Sequence, residues 1–242
     1  MELQISLLDA LLAFGIATLG ATLQGCIGFG IGLLGVPLLV LIDPVFIPGP
    51  LLLAALLLTL LIAHRELRSI DVEGIKWAIP GRILGTIVGA SLLTIIPQKQ
   101  VSLLFGSMVL LAVLISIVGL KLPITKLNLF GAGTISGFMG TTASIGGAPM
   151  AIVYQNQRGP RIRGTLSSIF VFGTIISLIS LALIGRFGLR EISVAVILLP
   201  GTIIGFFLSR RIVKILDKGF IRSTILISSV ISGIIVILRN II

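Results

Sequence analysis

The sequence predicts an all-α, polytopic membrane protein made of two homologous halves in an inverted repeat, each half a glycine-broken hairpin followed by three transmembrane helices. Three observations lead there. Hydrophobic residues fill 56% of the 242 positions and charged residues 11%, with a mean hydropathy of +1.23; an ordinary soluble globule of this length is far more polar. Apolar runs long enough to span a bilayer recur along the chain. The third observation is internal similarity with a period near 120. Residues 25–37, carrying Gly25, Gly28, Gly35 and Pro37, align without gaps on residues 137–149, carrying Gly137, Gly140, Gly147 and Pro149, at an offset of 112. Pro80-Gly81-Arg82-Ile83-Leu84-Gly85 aligns on Pro200-Gly201-Thr202-Ile203-Ile204-Gly205 at an offset of 120. Ordered matches of this kind mark a tandem repeat. Residues 1–120 and 121–242 are the two halves of one integral membrane domain.

Residues 7–42 are apolar apart from Asp9 and a few small polar side chains. As one straight helix they would run about 54 Å against a hydrocarbon core of about 30 Å, so the run must break, bend or turn back. Gly25, Gly28, Gly30, Gly32, Gly35 and Pro37 mark the weak point. A helix interrupted in hydrocarbon survives only where the freed backbone is buried in protein or lines a cavity. The next span is 45–63, with Pro48 and Pro50 in its first turns, where a missing N–H costs little. A polar loop, 64–76, precedes spans at 77–96 and 101–120. In the second half, segment 127–153 is followed by spans at 165–184, 192–208 and 221–238. Trp77 and Tyr154 stand beside basic loops and are expected in the aromatic belt.

Segment 127–153 is short enough for a single tilted crossing, so loop charge decides its path. A single crossing divides the loop Lys and Arg residues eight against nine. If the segment turns back, Arg65, Arg68, Lys76, Lys121, Lys126, Arg158, Arg161, Arg163, Arg210, Arg211, Lys214, Lys218 and Arg222 share one side, and only Lys99, Arg186, Arg190 and Arg239 lie on the other. That segregation is the positive-inside pattern, with the richer side cytoplasmic. Repeat symmetry extends the hairpin to the first motif and leaves both termini outside.

In each hairpin the returning half-helix is expected to begin just after its break, near Gly28 to Gly30 and near Thr141 to Thr142. Free N–H groups and the positive end of a helix dipole there suit an anion. Gly28, Gly30 and Gly140 open the backbone, Thr141, Thr142 and Ser144 add hydroxyls, Gln24 adds an amide and Cys26 a thiol. The structural alternatives are close helix packing for the glycines, capping for the hydroxyls and simple packing for Cys26. Arg82 is the one basic residue inside an apolar span, and no acidic residue lies within a helical turn of it. Its charge either serves a transported anion or snorkels to lipid phosphate. Gly81, Gly85 and Gly89, like Gly201 and Gly205, form flat faces expected to pack against other helices.

Several functions are excluded. Gly30-Ile31-Gly32-Leu33-Leu34-Gly35 spells a dinucleotide fingerprint but has neither the preceding strand nor the acidic residue about twenty positions on. The scattered bases lack interleaved aromatics, so lipid headgroups rather than nucleic acid are their partners. The one histidine, His64, sits in the polar loop and makes neither a metal site nor a triad. No cofactor is implied. None of the eight acidic residues lies deep in a span, where proton relays and cation sites place a carboxylate, and this points to anions.

The paired glycine motifs, each followed by Val36-Pro37 or Ala148-Pro149 and an apolar run, resemble the TauE/SafE family of membrane proteins, the sulfite exporter and sulfonate permease group, over nearly the whole chain. Gly164-Thr165-Leu166-Ser167 is similar, imperfectly, to a Gly-Thr-Ser element of that family. The chain departs from the family's denser first glycine cluster at Phe29 and Ile31, and its second copy carries Thr141, Thr142 and Ser144 instead. The resemblance implies sulfite, sulfonates or related sulfur oxyanions as substrates. The expected function is a secondary transporter or permease for a small anion, working by alternating access at facing broken helices. A passive anion channel, a membrane-embedded enzyme and a non-transporting subunit are the rivals. The sequence sets no oligomeric state.

Overall fold

The structure is a computed structural model that describes residues 5–97, 100–117 and 122–213. The expected span at 221–238, and the bases Lys99, Lys121, Lys214, Lys218, Arg222 and Arg239, lie outside the described residues. Nine α-helices and no strands occur among those that are described: α1 (Leu7–Ile27), α2 (Ile31–Ile42), α3 (Gly49–Arg65), α4 (Val72–Ile95), α5 (Val101–Ile117), α6 (Lys126–Ala143), α7 (Gly147–Tyr154), α8 (Gly159–Leu183) and α9 (Leu189–Ile212). Helices α1, α4, α8 and α9 are each long and apolar enough to cross a membrane.

The long first run breaks where its glycines predict. Gly28 ends α1 in the left-handed region at φ 96°, with its N–H on the Gln24 carbonyl at 2.7 Å, and Gly30 follows at φ 142°. Both are conformations that side-chain-bearing residues rarely adopt. The chain then doubles back, since a Cβ on Gly20 would touch Ile31 at 3.2 Å. Helix α2 leads into a 3-10 turn, Pro44–Phe46, that packs on α9. Beside that turn Gly49 meets Phe187 and Glu191, so α2 returns to the end from which α1 sets out.

The second break falls later than the sequence suggests. Helix α6 continues through Thr141 and Thr142 to Ala143, and the left-handed residue is Ser144 at φ 60°, its N–H on the Gly140 carbonyl at 2.8 Å. The threonines stay helical because their hydroxyls find partners there. Thr142 Oγ1 donates to the Phe138 carbonyl at 2.7 Å, and Thr141 Oγ1 lies 2.8 Å from Ser177 Oγ. Helix α7 starts at Gly147 with Pro149 in its first turn. It ends at Tyr154, whose hydroxyl donates to Asp71 Oδ2 at 3.2 Å, close to where Lys126 opens α6 over the Trp77 ring. The second segment therefore turns back as well. Tyr154 is 0% exposed. It is a core residue rather than a belt residue, because Asp71 satisfies its hydroxyl while its ring packs with Met150, Val153 and Leu166. Trp77, 37% exposed, keeps the surface position expected of it.

Two helices start earlier than their apolar runs. Asp71 caps α4, accepting from the Gly74 N–H at 3.2 Å, so the last residues of the expected 64–76 loop are helical. Gly159 and Pro160 open α8, which takes in Gly164 to Ser167.

The glycine faces pack as expected, and they do so across the halves. Helix α4 runs parallel to α6: Gly81 lies against the Phe130 carbonyl, Gly85 against Thr134 and Gly89 against Phe138. Helix α9 runs parallel to α1 in the same way, with Gly201 on Phe14 and Gly205 on Thr18. Such close backbone approach is what small residues at four-residue spacing allow. Helices α3 and α8 are antiparallel, Gly164 meeting Glu66 at one end and Gly49 meeting Phe187 at the other. These contacts place Arg65, Arg161, Arg163 and Lys126 at one end of the bundle and Arg186 at the other, the division that the loop charges call for.

Two neighbouring glycines of α6 offer a sharp contrast. A Cβ on Gly133 would lie 2.3 Å from the Ala78 carbonyl oxygen, whereas one on Gly131 meets nothing within 4 Å. Gly131→Ala is expected to raise stability by about 0.5–1 kcal/mol through helix propensity, and Gly133→Ala to lower it by about 1–3 kcal/mol through overpacking. Melting temperatures in one detergent check the difference in sign.

Candidate functional site

The two hairpin breaks meet in the middle of the bundle. A Cβ on Gly32 would collide with the Ser144 carbonyl, and one on Gly147 would come within 2.8 Å of the Phe29 Cβ. Between them lies a small cavity of about 40 Å³, walled by both breaks, by α3 at Thr59 and by α8 at Phe170 and Thr174. Arg82 of α4 lines it.

Arg82 is 2% exposed, so it does not reach out to the membrane surface. Its Nη1 donates to Ser136 Oγ, and that hydroxyl donates onward to the Gly146 carbonyl, which ties the guanidinium to the second break. Its Cζ lies 5.1 Å from the centre of the Phe170 ring, a cation–π contact that holds the group without neutralising it. Gly140, Gly146 and Gly173 clear the space it occupies; a Cβ on Gly173 would fall 1.4 Å from Nε. Among the described residues no carboxylate pairs with it, and its buried Nε has no hydrogen-bond partner. A buried cation with an unsatisfied donor is costly unless something compensates it.

Five of the sequence-predicted candidates line this cavity: Gln24, Gly30, Arg82, Gly140 and Ser144. Gln24 Oε1 accepts from the Ile31 N–H at 3.1 Å, capping α2 and leaving the amide NH2 available to the cavity. Ser144 Oγ donates to the Pro48 carbonyl at 3.0 Å, which ties the second break to the start of α3. The other four lie elsewhere. Gly28 packs on the Arg163 backbone, and a Cβ there would come within 3.2 Å of it. Cys26 sits behind the first break, its Sγ 3.8 Å from the Ser209 carbonyl, in a separate apolar pocket with Ile27, Ala151, Ile152 and Ile162. Thr141 joins Thr86 and Ser177 in a buried hydroxyl cluster, and Thr142 bonds within its own helix. Among the described residues, no group of three or more His, Cys, Asp or Glu side chains could hold a metal ion.

The family description Sulfite exporter TauE/SafE matches residues 12–236. The chain belongs to the TauE/SafE family. No curated protein and no solved structure matches it. Members of the TauE/SafE family are integral membrane transporters that export sulfite and related sulfur compounds, which fits the apolar helices of this chain.

Sequence reasoning missed several residues that shape this TauE/SafE site. Ser136, Phe170 and Gly173 surround Arg82 but carry no local motif, and Gly146, inside the second glycine motif, was not singled out. The signal of the first three is position on helix faces that turn toward one buried cation, and that becomes visible only once the helices are packed.

Proposed function

We propose that this TauE/SafE protein is a secondary transporter or permease for a small sulfur oxyanion or organosulfonate, which binds between the two breaks against Arg82. The carrying observation is the buried guanidinium that, among the described residues, has no carboxylate and an unpaired Nε. A planar fork of N–H donors matches the oxygens of a sulfite or sulfonate group in pairs, and the desolvated surroundings strengthen that pairing. The Gln24 amide adds a neutral donor from the opposite hairpin. Residues 1–120 and 121–242 act as inverted repeats, a reading supported by hairpins that enter from opposite ends and by the matched pairs α1 with α9 and α6 with α4. Alternating access then exposes the shared site first to one side and then to the other.

Purified protein in liposomes is expected to carry sulfite with saturating kinetics and to show no unitary current steps in planar bilayers. Resolved single-channel steps carried by sulfite would replace the carrier with a passive channel. No sulfite or sulfonate flux of either kind would reject the reading.

A further inference from the structure

A second group of charges sits where α1 stops, away from the Arg82 cavity. Arg65, the last residue of α3, and Arg163, in the second turn of α8, both aim Nε at one oxygen of Glu66, at 3.1 and 2.9 Å. The three side chains are 17%, 9% and 12% exposed for Arg65, Arg163 and Glu66. Each arginine is also anchored independently of that carboxylate. Arg65 Nη2 donates to the Gly25 carbonyl at 2.7 Å and Nη1 to Ser209 Oγ at 3.1 Å. Its Cζ lies 5.5 Å from the Phe206 ring centre. Arg163 Nη1 donates to the Cys26 carbonyl at 3.4 Å.

The arrangement differs from an ordinary structural ion pair in two ways. Among the described residues two guanidiniums share a single carboxylate, so these side chains together keep a net positive charge in a place largely closed to water. Each arginine also has an anchor other than Glu66, Arg65 on α1 and α9 and Arg163 on the Cys26 carbonyl of α1. They form a preorganised anion receptor whose present occupant belongs to the chain. Glu66 itself is the residue that ends α3 and enters a 3-10 turn, Leu67–Ser69, rather than a residue locked inside a helix.

The receptor is connected to the Arg82 cavity. Along α8, Arg163, Ser167, Phe170 and Thr174 recur at helical spacing, the last two on the cavity wall. Ser167 Oγ, between them, is buried with no hydrogen-bond partner. Along α3, which packs antiparallel to α8, Thr59 lines the cavity and Glu66 follows two turns later. The receptor and the cavity are two stations about 10–16 Å apart by helical rise.

We propose that Arg65 and Arg163 form a second anion-binding site, and that Glu66 is a tethered carboxylate which a transported oxyanion must displace to pass this end of the bundle. This rests on the reading of the chain as an anion carrier. Two buried like charges cannot be left side by side without a counter-ion, so Glu66 can withdraw only as an anion takes its place. The exit is thereby coupled to substrate, and an empty carrier stays shut. A tethered competitor acts at an effective concentration of millimolar order or above, so its removal should raise the receptor's affinity for a free anion on the order of tenfold or more.

Sulfate is the probe, measured by thermal shift on the purified full chain, because air does not oxidise it as it does sulfite. Glu66→Gln combined with Arg82→Gln is expected to show a sulfate-dependent stabilisation that Arg82→Gln alone lacks, and adding Arg163→Gln should remove it. No sulfate response in the combined variant, or one indifferent to Arg163→Gln, overturns the proposal. If Arg82→Gln alone keeps the parent's sulfate response while Glu66→Gln still adds to it, the Arg82 reading fails and the second site stands. Should Glu66→Gln not fold, Glu66→Asp carries the test by drawing the carboxylate back one methylene. A sulfate affinity above the parent's is expected, and equality with the parent overturns the proposal.

Discussion

Arg82→Gln is expected to abolish sulfite transport and anion-dependent stabilisation while leaving the protein folded. The guanidinium is buried, and among the described residues it has no carboxylate partner and its Nε has no hydrogen-bond partner. A charge placed deep in a membrane helix costs roughly 2.5–3.5 kcal/mol on insertion scales, so its removal should not weaken the apo protein. Its melting temperature without anion should equal or exceed the parent's. Hydrogen bonds to charged groups contribute about 1.5–3 kcal/mol each, so anion affinity should fall on the order of a hundredfold. Arg82→Lys keeps a charge but loses the paired donors and the flat contact with Phe170, and should recover only part of the affinity. Titration of both variants with sulfate by thermal shift, followed by sulfite flux, decides the matter. Parent-level binding and flux in Arg82→Gln would remove Arg82 from the site.

The second large effect is expected from a residue that carries no chemistry. Gly173→Ala would place a Cβ 1.4 Å from Arg82 Nε and 2.2 Å from its Cδ, so the arginine must leave its seat over Phe170. Transport should fall as far as it does in Arg82→Gln, with a stability loss of about 1–3 kcal/mol from overpacking. The loss should depend on the arginine, so in an Arg82→Ala background Gly173→Ala should cost little. That non-additivity is the signature of two groups competing for one space. Equal stability losses in both backgrounds, or normal flux in Gly173→Ala, would contradict this account of the pocket.

Much of the bundle was legible in the sequence because membrane helices must satisfy their own backbone. Run length required residues 7–42 to break, and loop charge required residues 127–153 to turn back. Both returns are present, and the expected glycine faces make the closest helix contacts. The second break was misplaced for a specific reason. The repeated glycines align at an offset of 112, yet the left-handed residues are Gly28 and Ser144, which stand 116 apart, one helical turn further on. Gly25 and Gly137 both serve close helix contacts, with Ser209 and with Arg82. Sequence similarity therefore tracked the packed faces and not the break, and a serine able to enter the left-handed region does not announce itself as glycine does. Arg82 stood out as a lone cation in an apolar run, whereas Arg65 and Arg163 passed as ordinary loop charges. Only the antiparallel packing of α3 on α8 brings them onto the same carboxylate. Tyr154 was misjudged because its acidic partner, Asp71, lies in the other half of the chain.

The parallel pairs α4 with α6 and α1 with α9 bear on how the molecule moves. Each pair joins one half's hairpin to the other half's glycine face, backbone against carbonyl, with no side-chain layer between them to slide on. A rocking of residues 1–120 against residues 121–242 would have to pull both seams apart. Bodies that kept both seams intact would be chimeric, one carrying α1 and α9 and the other α4 and α6, each drawn from both halves of the sequence. The short returning arms, α2 and α7, lie outside both seams, and α2 meets the second break where Gly32 packs on the Ser144 carbonyl.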